Sequence, residues 1–220
     1  MDDAILARLR RFRTRYFPRL RQQFHDLVAK GQHPKVLFIG CSDSRVVPHL
    51  IMDSGPGELF VVRNVGSFVP PFDASHGYHG TAAAIEFAVL NLNVREIIVC
   101  GHSHCGAIRA LYEEPPPEAR HMVKWLELGR DAVLPVTLSE EALARTEQRS
   151  VALQLERLMD YPMVRSRVEA GTLFLRGWHY VIEQGRVFVL DVETGRFDPF
   201  DAAPEVAPVD DPLAGVDRLQ

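Results

Sequence analysis

Long apolar runs are missing from this chain of 220 residues; the longest, such as Val36 to Ile39 and Ile97 to Cys100, are strand-sized, so no stretch reads as a membrane span. The opening residues, Met1 to Arg8, offer no extended apolar segment followed by a small-residue cleavage site, and the expected location is cytoplasmic. Cysteine is scarce. Three residues, an odd number without framework spacing, argue against a disulfide scaffold and suit a compartment in which thiols stay reduced. Internal repeats are absent, and neither sign of charge dominates, with 25 Lys and Arg against 29 Asp and Glu. That balance hides a polarity: Arg8, Arg10, Arg11, Arg13, Arg15, Arg19 and Arg21 crowd one end, while Asp198, Asp201, Glu205, Asp210, Asp211 and Asp217 mark the other. No nucleic-acid motif accompanies the arginines, so they read as a solvated or partner-facing helix face.

The composition present, 46% hydrophobic and 25% charged, is that of an ordinary globular protein with enough apolar mass for one sizeable core. Apolar residues recur at near-helical spacing from residue 3 to about 30 and read as one or two helices, with Pro18 as the separation and Gly31 as the stop of the second. This helical arm has no strand beside it, and packing on a partner subunit is the expected use of its apolar stripe. Strands are predicted at Val36 to Ile39, Leu59 to Val62 and residues 97 to 101, with an Ala-rich helix from Thr81 to Leu92 between the second and third; a crossover of that length implies parallel pairing. Helix is expected from His104 to Tyr112, then from about Glu118 to Met159 with a break near Leu134 and Pro135, then briefly from Pro162. Thr172 to Val181 and Arg186 to Val192 read as a hairpin added to the sheet. The expected architecture is α/β: a mostly parallel central sheet of about five strands, flanking helices, an N-terminal helical arm and a C-terminal β-hairpin. Residues 1–200 make one domain, with 1–30 as the arm, and 201–220 an acidic Pro/Ala-rich tail.

Chemistry concentrates at two strand ends. The first strand runs into Cys41-Ser-Asp-Ser-Arg45, and the third into Gly101-His-Ser-His-Cys-Gly106. Zinc accepts thiolate sulfur and imidazole nitrogen, and a catalytic zinc site keeps three protein ligands with one position open. Cys41, His102 and Cys105 supply that set, His102 and Cys105 being three apart as residues on one face of a helical turn are. Cys100, inside a strand, reads as packing.

These two stretches together resemble the paired signature of the beta-class carbonic anhydrases. The resemblance extends through Gln32-His-Pro-Lys35, Pro56 to Phe60, Arg63-Asn-Val65, Tyr78-His-Gly-Thr81 and Ile85 to Ala88, covering residues 30 to 112 closely and the rest by layout. It implies a zinc lyase that hydrates CO2 reversibly to bicarbonate and a proton by zinc-bound hydroxide, and a homo-oligomer built from dimers, a homodimer or a homotetramer, acting on a small molecule with neither nucleic acid nor membrane as partner. It also implies roles: Zn2+ on Cys41, His102 and Cys105; Asp43 as gate, proton acceptor and alternative fourth ligand; Arg45 as its ion-pair partner; and a substrate pocket at Gln32, Phe60, Val65, Tyr78 and Gly106. Within the family, Gln32, Phe60 and Tyr78 match the site type that stays open. A tryptophan three residues before the zinc cysteine would mark the type that stores bicarbonate, and Phe38 stands there, although Arg63 and Tyr180 could still serve an anion. Two other readings remain open on the residues: hydrolysis of carbonyl sulfide or carbon disulfide, and a zinc-stabilised protein without turnover, against which Asp43, Arg45 and Gln32 speak.

Overall fold

The structure is a computed structural model and describes residues 3–72 and 79–200. In chain order it contains α1 (Asp3–Arg11), a π-helical turn (Phe12–Tyr16), α2 (Phe17–Lys30), β1 (Val36–Cys41), α3 (Pro48–Ile51), β2 (Leu59–Asn64), α4 (Gly80–Glu86) with a π-helical extension (Phe87–Asn91), and β3 (Glu96–His102). There follow α5 (Gly106–Arg109), α6 (Arg120–Leu126), α7 (Glu140–Met159), α8 (Pro162–Glu169), β4 (Phe174–Val181), β5 (Arg186–Asp191) and β6 (Arg196–Pro199). The expected tail, 201–220, lies outside the described residues.

All six strands join one sheet in the order β2-β1-β3-β4-β5-β6. The first four are parallel; at one edge β5 runs antiparallel to β4, and β6 antiparallel to β5. The predicted architecture is therefore present with one strand more than expected. Arg196 to Pro199 is short, contains a proline and carries little apolar signal, yet it pairs with β5 at the sheet edge, where a proline is tolerated.

The central strands are apolar on both faces because both are covered. Leu37 and Ile39 of β1, with Ile97 and Val99 of β3, pack against Ile85 of α4 and Ala88 of its π-helical extension, Val151, Leu155 and Leu158 of α7, and Val164 of α8. Phe38, Ile98 and Cys100 form a second buried cluster on the other face, with Trp178 edge-on to Phe38 at 6.3 Å. α7 begins where Ser139 accepts the Ala142 N–H and Glu140 and Glu141 sit in the first turn, a favourable cap and charge arrangement. It lies close on the sheet: a Cβ at Gly101 would come within 2.6 Å of Val151 Cγ2. Only glycine lets α7 approach the end of β3 this closely.

Two local expectations are corrected. Pro18 does not separate two helices, because the wide turn Phe12–Tyr16 bonds one residue further along, Phe17 N–H reaching Phe12 C=O, and carries the helix past the missing donor. Helix does not begin at His104 either, since His104 takes φ +56° and Cys105 is extended, leaving only Gly106–Arg109 helical before turns. Gly31 ends α2 at φ +82°, as a residue free of Cβ strain can. Ile5, Leu9, Phe12 and Tyr16 of the arm are solvent-exposed in the single chain. Among the described residues no helix is long and apolar enough to cross a membrane.

Candidate metal centre

β1 lies between β2 and β3, so the chain leaves β1 to one side and returns on the other. In parallel sheets the crevice at such a switch, beyond the carboxyl ends of the strands, is where ligands bind. Cys41 ends β1 and His102 ends the neighbouring β3. The turn Ser103-His104-Cys105 then folds back, and the ligand atoms of Cys41, His102 and Cys105 all lie within 4.8 Å of one another, all three residues buried. The spacing of His102 and Cys105 works through this turn, not through a shared helical face: one residue closes a strand and the other caps α5.

The donor set fits a cation. Nδ1–H of His102 is directed at the Ser103 carbonyl, 2.9 Å away, which leaves the Nε2 lone pair turned inward, buried and without a hydrogen-bond partner. The Cys41 sulfur accepts the N–H groups of Asp43 and Gly66 at 3.5 and 3.4 Å. The hydrogen bond from Cys105 lowers the Cys41 thiol to about 4 against the opposing effect of burial, while the same bond, with burial, pushes Cys105 well up. Burial works against charging His102, but the neighbouring Cys41 sulfur outweighs it and raises the imidazole. Cys100 is the contrast: burial pushes its thiol up to about 12, so it stays protonated as packing.

Asp43 stands beside the trio, gripped by Arg45: Nε donates to Oδ1 at 2.9 Å, the second guanidinium nitrogen to Oδ2 at 2.7 Å, and the Arg45 N–H to Oδ1 at 3.0 Å. This guanidinium holds the Asp43 carboxyl well below the usual carboxylate range. Arg45 also donates to the His104 carbonyl, tying the first loop to the second. Arg63, a candidate for an anion site, instead donates to the carbonyls of Cys41 and Asp43 at 3.0 and 2.6 Å. His104 lies at 3.5 Å from Glu140 and 3.8 Å from Glu183, on the surface.

The other predicted pocket residues divide. Val65 and Gly106 adjoin Asn64 and Cys105 at the same sheet end, and Val65 accepts the Trp125 indole N–H through its carbonyl at 2.7 Å. Gln32 and Phe60 lie at the other end. Phe60 pairs with Leu37 while Asn64 pairs with Cys41, a separation of about 13 Å along the strands. Tyr78 lies outside the described residues. Sequence reasoning missed Glu147 and His179, both buried, with Glu147 accepting the Cys105 N–H at 2.9 Å. The signal was available: Glu147 falls in line with Leu143, Val151 and Leu155, a carboxylate on the apolar stripe of α7.

Residues 36–187 match the family model described as carbonic anhydrase. A carbonic anhydrase of Synechococcus elongatus is 44% identical over 191 residues, 83% of this chain and 69% of its own length. One from Pseudomonas aeruginosa is 40% identical over 209 residues, 90% of this chain and 92% of its own. Among solved structures, the beta-carbonic anhydrase CcaA superposes with a TM-score of 0.84 at 38% identity, covering 91% of this chain and 92% of that one. A structure titled for two tetrameric beta-carbonic anhydrases of Sordaria macrospora gives 0.75 at 29% identity, over 86% and 98%.

Proposed function

The chain belongs to the beta-class carbonic anhydrases, and we propose that it hydrates CO2 reversibly at a zinc ion held by Cys41, His102 and Cys105. The observation that carries the reading is the convergence of two sulfurs and one unpartnered imidazole nitrogen at the switch point of the sheet. A zinc ion held by these three residues would supply a Lewis acid that acidifies water near neutral pH. Two thiolates offset the formal charge of the ion, so this acidification is weaker than with three neutral imidazoles, and a nearby acceptor becomes more useful. Asp43 is that acceptor. Because Arg45 keeps it ionised, it takes a hydrogen bond and orients its donor rather than storing a proton. Gly66 and Asp43 N–H groups steady the Cys41 thiolate, and the Ser103 carbonyl fixes the His102 ring.

Protein purified without added zinc is expected to carry close to one zinc per chain, with two sulfurs and one nitrogen in its X-ray absorption spectrum. Stopped-flow CO2 hydration should vanish when that zinc is chelated and return when it is restored. A metal content near zero, or activity indifferent to chelation, would overturn the reading; carbonyl sulfide assayed alongside tests the related substrate.

For the substrate pocket we propose Gln32, Phe60, Val65, Tyr78 and Gly106. Since Gln32 and Phe60 lie at the far end of their strands, they serve the site of a neighbouring subunit, so the working unit is at least a dimer. The exposed apolar face of the arm, Ile5, Leu9 and Phe12, supports association, and the Sordaria relatives are tetrameric. Three unpaired cysteines suit a cytoplasmic setting.

The site is proposed to be of the permanently open type. Phe38 is sealed in the core against Trp178, Arg63 is engaged by backbone carbonyls, and Asp43 is gripped by Arg45. Activity should therefore rise smoothly with pH at every bicarbonate concentration. A steep cooperative loss below about pH 8, deepened by bicarbonate, would show an anion site that this packing does not provide.

A further inference from the structure

α7 carries Leu143, Glu147, Val151 and Leu155 at four-residue steps on its buried face. Three are apolar and pack in the core; the fourth is a carboxylate that is 2% exposed. Burying such a group costs several kcal/mol unless its oxygens find donors. Both do. Oε1 accepts the Cys105 N–H at 2.9 Å, and Oε2 meets Nε2 of His179, on β4, at 3.0 Å. His179 is 3% exposed and its Nδ1 has no hydrogen-bond partner, so among the described residues the hydrogen bonding of the ring is committed to Glu147. A well-packed apolar pair would fill the same space at lower cost, which makes the placement of the carboxylate, under the N–H of Cys105, the feature to explain.

Cys105 needs such a hold. It follows His104, whose φ of +56° is unusual for a side chain with a Cβ, and it precedes only four helical residues. Short helices and strained turns are weakly self-determined. The first half of the turn is fixed from elsewhere: Ser103 N–H bonds the Tyr180 carbonyl, and the Ser103 hydroxyl links Glu183 to the Ile182 N–H, each at 2.9 Å. Glu147 fixes the second half, and it comes from α7, a helix of 20 residues seated tightly on Gly101.

We propose that the Glu147–His179 pair is a positioning device for the third ligand: by holding the Cys105 backbone it aims the Cys105 sulfur at the point where Cys41 and His102 converge. Glu147 acts through Cys105 and touches neither substrate nor metal; His179 keeps Glu147 in place. The inference rests on the metal centre proposed above.

The test is the rate at which the loaded protein gives up metal to an excess of chromogenic chelator, with absorption spectra of the cobalt-substituted protein as a second measurement. Glu147→Met keeps the volume and removes the acceptor; its release rate should rise by about 10- to 100-fold, with cobalt bands that report distorted coordination. Glu147→Gln keeps an oxygen for the Cys105 N–H and should stay within about threefold of the parent. Leu158→Ala, three turns along α7 in the core, should lower the melting temperature yet release metal at the parent rate. Unchanged release in Glu147→Met, or equally fast release in Leu158→Ala, would overturn the proposal. Should Glu147→Met not fold, His179→Leu decides, since removing the donor to Oε2 must still speed release several-fold if the pair works as a unit, and no change would refute it. A parent protein without zinc would refute the metal centre itself, whereas a parent with one zinc and an indifferent Glu147→Met refutes only this step.

Discussion

Cys41→Ala is expected to lower CO2 hydration by more than about 10³-fold and zinc content toward zero, since loss of an outer-shell partner alone costs about 10- to 100-fold and this change removes a ligand outright. Cys100→Ala, which also empties a buried thiol, should leave both unchanged. The comparison is informative because the two side chains are alike in size and burial, one 5% and the other 0% exposed, and differ in what surrounds them. Cys41 meets two backbone N–H groups, the Cys105 thiol and the His102 ring, and is driven to about 4. Cys100 meets Phe38 and Ile98 and is driven to about 12. Each substitution removes roughly one buried methylene equivalent, about 1 kcal/mol, so both variants should fold and the contrast should appear in metal analysis and stopped-flow rates. Zinc retained in Cys41→Ala, or lost in Cys100→Ala, would show that the ligand assignment is wrong.

What the sequence revealed here and what it hid follow from the range of the forces involved. The strands β1 and β3 were legible because burial on both faces forces a continuous apolar run, and the turn residues after each run place the ligands at one sheet end. Cys41 and His102 could therefore be read from the chain. The way Cys105 reaches them could not, since the same three-residue spacing serves a helix or a turn, and only the packing of β4 against β3 and the reach of Glu147 select the turn. β6 was illegible for a similar reason: its pairing with β5 is a tertiary fact carried by four residues with no pattern of their own. Pro18 misled because a proline removes one hydrogen bond but does not dictate how the helix accommodates the loss. Glu147 was overlooked although the stripe of α7 displayed it, because a single carboxylate on an apolar face means little until its partners, 42 residues before it and 32 after, are known.

Arg45→Ala is expected to lower activity by at least about tenfold while zinc stays bound. Arg45 supplies two side-chain hydrogen bonds to Asp43, each charge-assisted and worth about 1.5–3 kcal/mol; the lower figure alone corresponds to a tenfold shift between two positions of the carboxylate. Freed from the guanidinium, the carboxylate would turn to the zinc proposed at Cys41, His102 and Cys105 as its nearest alternative cation. Global stability should hardly change, by less than about 1 kcal/mol, because the Arg45 side chain is 47% exposed and water replaces most of what it gives. A large kinetic effect beside a small thermal one is therefore the signature of a gate. Adding Asp43→Asn separates a gate from a lost catalytic cation: a neutral amide has little pull toward the metal, so the double variant should be more active than Arg45→Ala alone, and X-ray absorption should show the extra oxygen ligand of Arg45→Ala disappear. A double variant slower than Arg45→Ala, or near-normal turnover in Arg45→Ala at alkaline pH, would mean that Arg45 does not restrain Asp43.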